Sequence, residues 1–405
     1  INIVEKIVNS NRCYFIAEIG INHNGDINIA KKLISEAAKC GADAVKFQTR
    51  TIEAVYTKEY LLQKRESPFG NTQYDLKNGL EFSKEQYIEL IQVAKANNLD
   101  FTSSPWDEES VDLCIDVGID FVKIASPCLH DRNLLSYIAS KNIPVIISTG
   151  MSDKQQVEDV LDIFSDVPKA LLHCASVYPT MKNESNLLRI NELKRYQDNS
   201  IFAIDYSGHE EGYRQSVYAV AMGAKIIERH FTLDKNMWGS DHKVSIDISE
   251  FTNMVSDIRS LEKMLGLPEI KVLEEEIPAM IKLQRKRKIN YIFIDIDGVI
   301  TDAKFTLDIK GNELKNIGFR EIDAINQMVK KGYIVCLLTK EDSEINRIIH
   351  KKSNAQYYIS NSKDKYLDIQ KYAVEKGVTT ESFGFIGDSF YDQEALKKLK
   401  YTFWS

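Results

Sequence analysis

Between residue 13 and about residue 232, short β-branched runs alternate with helical patterns eight times, and this constrains the fold more than any other feature. The predicted strands are 13–20, 44–48, 100–105, 121–126, 144–149, 170–176, 201–207 and 224–232. Most are nearly continuous apolar runs, the pattern of parallel strands covered on both faces. Between them lie amphipathic helices. One carries Ala30, Leu33, Ile34 and Ala37 at i, i+3, i+4 and i+7. Another opens on Ser83 with Gln86 three residues later, a capping box, and presents Tyr87, Leu90, Ile91 and Ala94. Eight βα units in about 250 residues predict a (β/α)₈ TIM barrel, with a doubly wound open sheet as the alternative.

The chain is longer than one barrel. Its 405 residues, at roughly 150 per domain, call for two or three units. After Gly266-Leu267-Pro268 come Glu274-Glu275-Glu276 and Arg285-Lys286-Arg287-Lys288, charge blocks of the kind found in solvated linker helices. The sequence therefore divides into a barrel (1–268), a charged linker (269–288) and a smaller Rossmann-like α/β unit (289–405) that starts with the strand 291–295. One connection, 50–82, has little periodicity and reads as a lid or a disordered insertion.

Composition narrows the function. Hydrophobic residues make up 43% and charged residues 27%, which excludes a disordered chain. A net charge of −7 argues against nucleic acid as the main partner but leaves room for a local cationic pocket that takes small anions. No run approaches 18 apolar residues, so no membrane span is predicted, and residues 1–8 are too polar for a secretory signal. The six cysteines lie far apart without a Cys-X-X-Cys, the pattern of reduced, buried thiols in a cytoplasmic protein.

In a barrel of this kind, chemistry sits at the C-terminal strand ends. Here those ends carry Glu18, then Lys46 and Gln48, Ser103-Ser104, Lys123 and Ser126, Ser148-Thr149, Tyr178, Ser207 with His209, and Glu228 with His230. Any one of them alone is more often a satisfied core polar group. Eight polar strand ends together are not explained that way, because a buried lysine must find an anion. Two lysines and several hydroxyls at one mouth describe a phosphate or carboxylate cradle. His209 and His230 follow consecutive strands about 4.8 Å apart, so their imidazoles can share one ion with open coordination positions, as Lewis-acid chemistry needs. His23, His130, His173 and His242 lack such a pairing and read as supporting or structural.

Five ordered motifs, FIAEIGINHNGD (15–26), GADAVKFQ (41–48), VIISTGM (145–151), LLHCASVYPT (171–180) and IIERHFTLDK (226–235), resemble the sialic acid (nonulosonate) synthase family over about residues 10–265. The resemblance implies condensation of phosphoenolpyruvate with an N-acylmannosamine or related sugar in a homo-oligomer. It assigns His209 and His230 to a divalent ion, usually Mn²⁺, and Glu18 to proton handling or water orientation. Lys46, Ser104, Lys123, Ser126, Ser148 and Ser207 match positions that contact phosphoenolpyruvate, and Gln48, Tyr178 and Asp241 match positions that face the sugar. Some positions depart from the pattern: Cys128 stands for a glutamate, Ser176 for an asparagine, Gly208 for an aspartate and Ser240 for a proline. The antifreeze-like domain that closes the sugar site in most members is not read in this sequence, and the segment around Arg65 is a candidate substitute.

In the second unit, IDIDGVITD (294–302) ends an apolar strand with Asp295 and Asp297 placed to converge on one metal-bound phosphate. Thr339, Lys365 and GDSFYD (387–392), with Asp388 and Asp392, follow in order. Such a set suits Mg²⁺-assisted phosphoryl transfer. The portion resembles the haloacid dehalogenase superfamily, above all 3-deoxy-octulosonate 8-phosphate phosphatases. That implies Asp295 as nucleophile, Asp297 as general acid, Thr339 and Lys365 on the phosphoryl oxygens, and Asp388 at Mg²⁺. Glu321-Ile322 or, one step on, Asp323-Ala324 stands where the usual Asp-Gly pair would, and the sequence stops at Trp404-Ser405, short of the usual closing segment, as a truncated chain or one completed by a neighbouring subunit would. Two readings follow. One is a bifunctional enzyme that makes a nonulosonate and removes its terminal phosphate. The other is an active synthase with a non-catalytic second unit for assembly or regulation. A metal hydrolase would need His-X-His on the first strand, where this chain has Glu18 and a single His23.

Overall fold

The computed structural model describes residues 2–283, 289–311 and 313–405. The chain forms two compact units, Ile1–Leu267 and Pro268–Ser405. In the first, eight parallel strands close into a barrel: β1 Tyr14–Gly20, β2 Ala44–Thr49, β3 Asp100–Pro105, β4 Phe121–Ile124, β5 Val145–Ser148, β6 Lys169–Cys174, β7 Ile201–Gly208 and β8 Ile226–His230. Pairing of β1 with β8, from Tyr14 opposite Ile226 to Glu18 opposite His230, closes the ring and excludes the open-sheet alternative. Several predicted boundaries move, and the strand predicted over 170–176 spans Lys169–Cys174. The strand predicted over 121–126 ends at Ile124, because Ser126–His130 turns into a 3₁₀ helix with Pro127 near its start. The eighth strand is shorter than 224–232.

Strand alternation sorts the interior. Residues two apart share a face, so Ile16 leads to Glu18, Ala44 to Lys46 and Gln48, Phe121 to Lys123, Ile146 to Ser148, and Ile226 to Glu228 and His230. The lower members of these series pack together with Ala170, Leu172 and Ala203, and Ile3 and Ile7 of the N-terminal helix join them. The upper members are polar and, apart from half-buried Gln48, buried. The intervening residues, among them Phe15, Phe47, Val122 and Ile147, face the helix layer and form the main core with Leu33, Leu90, Val111 and Phe251. The barrel is thus plugged by apolar side chains at the bottom and polar at the top.

The connection 50–82 is neither structureless nor disordered. It holds short helices Ile52–Val55 and Lys58–Leu61, a hairpin of Lys64–Ser67 with Gly70–Thr72, and a helix Gln73–Gly79. Elements of three to seven residues are shorter than the window in which periodicity can be read. Thr72 and Asp75 form a reciprocal capping box that starts the last helix. Gly79 admits the Phe69 ring of the hairpin tip; a Cβ there would lie 2.2 Å from Phe69 Cγ.

His23, in the loop after β1, is buried against Phe82, with ring centroids 4.3 Å apart, and its Nδ1 accepts the Gly25 N–H. Burial, helped by His242, lowers its pKa to about 3. An unfolded chain binds that proton near pH 6.5. Between these values the unfolded state holds a proton that the native state does not, so stability falls as pH drops below about 6.5. From there to pH 4 the loss is roughly 3 kcal/mol, at about 1.4 kcal/mol per pH unit. Urea unfolding of a His23→Gln variant should have a flatter pH dependence over this range than the parent; parallel slopes would contradict the assignment.

In the second unit, β9 Tyr291–Asp295 is the centre of a parallel sheet. Also in the sheet are β12 Ile334–Leu338, β13 Tyr357–Ile359, β14 Phe383–Gly387 and β15 Tyr401–Trp404, in the order β13-β12-β9-β14-β15. An antiparallel pair, β10 Thr301–Leu307 and β11 Glu313–Ile317, follows β9. Phe293, Cys336, Ile369 and Phe385 anchor the core on one face, and Ile294, Val335, Leu337 and Ile349 on the other. Within the predicted linker, Glu274–Glu276 form a 3₁₀ turn and Ile277–Leu283 a helix, whereas the basic run 285–288 lies outside the described residues. All six cysteines are free and buried. Among the described residues no helix is long and apolar enough to cross a membrane.

Candidate active sites

The barrel mouth holds a cavity of about 340 Å³. Of the residues expected there, Glu18, Lys46, Gln48, Lys123, Ser126, Ser148, Tyr178, Ser207, His209, His230 and Asp241 line it. Ser104 does not, and reaches the site by accepting a hydrogen bond from Lys46 Nζ at 3.2 Å. Lys46 also lies 2.7 Å from Glu18 Oε2. Lys123 Nζ donates to Ser148 Oγ at 2.7 Å, and Ser126 Oγ accepts the Gly150 N–H at 3.1 Å. Gln48 Nε2 donates to Glu18 Oε1 at 2.8 Å.

Glu228, at a strand end but outside the assigned set, is the centre of the charge network. Its carboxylate lies 3.7 Å from Lys46 Nζ and 3.6 Å from Lys123 Nζ, and accepts from Ser207 Oγ at 3.3 Å. Burial works against its charge, but Lys123 and Lys46 outweigh it and hold the carboxyl below its ordinary range. The two lysines therefore do not await an anion alone; a shared carboxylate already offsets part of their charge. Strand alternation was the available signal, since Glu228 and His230 must share the inner face. Burial raises the Glu18 carboxyl above its usual value against the pull of Lys46, and lowers the Lys123 ammonium against that of Glu228.

Arg50, Tyr56, Lys77 and Trp106 also line the cavity and were not anticipated. All but Trp106 belong to the 50–82 connection, whose short elements hid their placement. Arg50 lies 4.6 Å over the Trp106 ring and bonds Gln48 Oε1 and Glu81.

His209 and His230 meet with ring centroids 5.3 Å apart. His209 Nδ1 lies 2.9 Å from the Ala175 carbonyl oxygen. In the neutral ring, donation from Nδ1 leaves the Nε2 lone pair free. His230 Nδ1 is buried without a hydrogen-bond partner and lies 3.8 Å from Asp241 Oδ2. Burial first, then the neighbouring His209, keeps His230 neutral, with a pKa of about 3. Burial works against a charge on His209, but Cys174 and the Ala175 carbonyl outweigh it and raise its pKa, so Nε2 must shed its proton before it can join the unpartnered His230 Nδ1 on a divalent ion.

The residues next to these histidines are tied together. Arg229 precedes His230 and Glu210 follows His209, and both are fully buried. Arg229 Nη1 donates to Glu210 Oε1 at 2.7 Å and Nη2 to the Glu210 carbonyl at 2.8 Å, while Tyr206 and Ser216 complete the carboxylate's partners. Arg229→Met strands Glu210 in the core and should cost about 3–5 kcal/mol in urea unfolding. A loss under about 1 kcal/mol would show that the pair is not sealed from water.

In the second unit, Lys365 sits between two carboxylates, 2.5 Å from Asp295 Oδ2 and 2.6 Å from Asp392 Oδ1. Asp295, Asp388 and Asp392 bring carboxylate oxygens within 4.8 Å of one another, and Asp388 Oδ1 is buried without a partner. That orphaned oxygen, in a cluster of three carboxylates, fits a hard cation. Gly298, at φ +93°, permits the approach of its loop, since a Cβ there would lie 1.7 Å from Asp388 Oδ2. Asp297 is not one of these three carboxylates; it pairs with Lys315 of β11 at 2.7 Å, accepts from Thr339 Oγ1 at 3.3 Å, and lies near enough to Asp388 to help raise its carboxyl pKa. Asn346 fixes the Thr339 hydroxyl at 2.9 Å.

Comparison with known proteins gives the first unit a lineage. The chain is 38% identical over 298 residues to the N,N'-diacetyllegionaminic acid synthase of Legionella pneumophila, covering 70% of this chain and 82% of that protein. It is 35% identical over 337 residues to the N-acetylneuraminate-9-phosphate synthase of Homo sapiens, covering 82% and 91%. The crystal structure of the N-acetylneuraminic acid (sialic acid) synthetase from Leptospira borgpetersenii superposes with a TM-score of 0.61 at 30% identity, covering 67% of this chain and 91% of that one. Residues 33–269, more than half the chain and most of the barrel that carries the polar mouth, match the NeuB family, and this chain belongs to it.

Proposed function

We propose that the barrel joins phosphoenolpyruvate to an N-acylmannosamine-type sugar or its 6-phosphate, giving a nonulosonic acid or its 9-phosphate, and that the second unit is a phosphatase for the 9-phosphate. The observation that supports the first half best is one cavity, in a NeuB-family barrel, where two lysines, Glu18 and two imidazoles face a common space. The methylene carbon of phosphoenolpyruvate bonds to the aldehyde carbon, a water oxygen adds to the neighbouring carbon, and phosphate leaves.

Phosphoenolpyruvate carries about three negative charges, which suits clamping by cations and hydroxyls. Lys46, Lys123, Ser104, Ser126, Ser148 and Ser207 hold its phosphate and carboxylate. Gln48, Tyr178 and Asp241 read the sugar through hydrogen bonds. Glu18, held between Lys46 and Gln48, orients the water or moves its proton. His209 and His230 would hold a divalent ion, Mn²⁺ in this proposal, which supplies Lewis acidity for the aldehyde.

In the second unit, Asp295 accepts the phosphoryl group and Asp297 donates a proton to the leaving oxygen. Thr339 and Lys365 hold the phosphoryl oxygens. Asp295, Asp388 and Asp392 would hold Mg²⁺, which supplies charge neutralisation at the transferring group. The test is incubation with phosphoenolpyruvate and a panel of N-acylmannosamines, with and without 6-phosphate, read by mass spectrometry. A product mass equal to sugar plus pyruvate is expected from at least one of them; silence across the panel would end the synthase reading.

A further inference from the structure

A second cavity of about 350 Å³ adjoins the barrel mouth, sharing Ile21, Lys77 and Ser240 with it. Its other walls come from the 50–82 connection, including Tyr60, Arg65 and Gln73, and from Trp238 and Gly239 after β8. No carboxylate lines it, whereas two cations do. Ser240 precedes Asp241, so this space opens on the side of the mouth given above to the sugar.

Neither cation is held in an ion pair with a described residue. Among the described residues neither Arg65 nor Lys77 has a carboxylate within salt-bridge distance; Lys77 Nζ instead lies 5.3 Å over the Tyr56 ring. Lys77 is half-buried and Arg65 exposed. Burial, and after it the positive charge of Arg50, lowers the Lys77 pKa; Asp241 and Glu81 pull the other way without reversing it, and Arg65 adds to the lowering. Like charges gathered in a partly desolvated space are unfavourable until an anion joins them. Arg65 is fixed there by the hairpin, whose tip residue Phe69 packs on Gly79 and meets the Trp238 ring at 6.4 Å.

We propose that Arg65 and Lys77 form a phosphomonoester subsite that takes the 6-phosphate of the acylated amino sugar, so that the barrel acts on the phosphorylated sugar. The proposal rests on the synthase reading above and deepens it. The geometry divides the labour: Lys46 and Lys123 stand deep in the barrel for phosphoenolpyruvate, while Arg65 and Lys77 stand at the rim for the far end of the sugar. It also gives the second unit a substrate, because a barrel supplied with a 6-phosphate yields a 9-phosphate.

The test uses the full chain with phosphoenolpyruvate and either N-acylmannosamine 6-phosphate or the unphosphorylated sugar, measuring kcat and KM for each. The parent should prefer the phosphorylated sugar by at least about tenfold in kcat/KM, the scale of one charge-assisted hydrogen bond. Arg65→Ala and Lys77→Met should each raise KM for the phosphorylated sugar roughly tenfold, with kcat changed far less. Arg65→Lys should recover part of the loss. KM values for the two sugars rising together in the variants would reveal a structural role and overturn the subsite. A parent that uses both sugars equally, or prefers the unphosphorylated one, would overturn the subsite and leave the synthase standing. Absence of product from either sugar would overturn both.

Discussion

Replacing either His209 or His230 by alanine should lower sugar-acid formation by about 10²–10³-fold or more, the scale on which electrostatic stabilisation of a developing oxyanion acts. The two rings face one space with centroids 5.3 Å apart, and the unpartnered Nδ1 of His230 offers a lone pair there. One imidazole without the other leaves too few protein donors to keep a divalent ion at the aldehyde. Neither ring belongs to the apolar plug, so the barrel should remain folded in both variants. Dephosphorylation of a supplied sugar phosphate should stay within about twofold of the parent, since that chemistry belongs to a separate compact unit. The assay compares chelator-treated enzyme with and without added Mn²⁺. Condensation that persists in either variant, in chelator-treated buffer, would remove the ion from the mechanism.

The second large effect is expected at Asp295. Asp295→Asn keeps the shape and removes the attacking oxygen's charge, so phosphate release should fall by at least about 10³-fold, as when nucleophiles are removed elsewhere. The assay must use a sugar 9-phosphate without phosphoenolpyruvate, because the barrel's reaction also liberates phosphate. Lys365 keeps Asp392 as a partner at 2.6 Å in the variant, which protects it from being stranded as an unpaired buried cation. Condensation by the barrel should be unchanged. Equal phosphate release from variant and parent would make the second unit a non-catalytic module and leave the barrel's assignment intact.

The barrel was legible because its signals are local. Parallel strands covered on both faces read as apolar runs, and the polar residue ending each run lies within a few positions of the turn. The series from Phe121 to Lys123 and from Ile146 to Ser148 needs only the two-residue repeat of a strand. The connection around Arg65 was not legible, because it is held by one capping box and by Phe69 meeting Gly79 across ten residues, not by a repeating pattern.

Asp297 illustrates the same limit in the second unit. Its spacing from Asp295 placed it at the strand end, but its ion pair with Lys315, which arrives from β11, could not be read from the sequence. Glu228 illustrates it in the barrel. Its position on the inner face follows from His230 two residues on, yet its role between Lys46 and Lys123 exists only because closure of β1 on β8 brings strands from opposite ends of the barrel sequence side by side. The sequence alone determined which residues point inward and where the reactive ones cluster, since backbone geometry sets both within a few residues. Which charges neutralise one another, and which cations are left to bind a substrate, was decided by tertiary structure, because Coulomb energy depends on distance in space and not on separation along the chain.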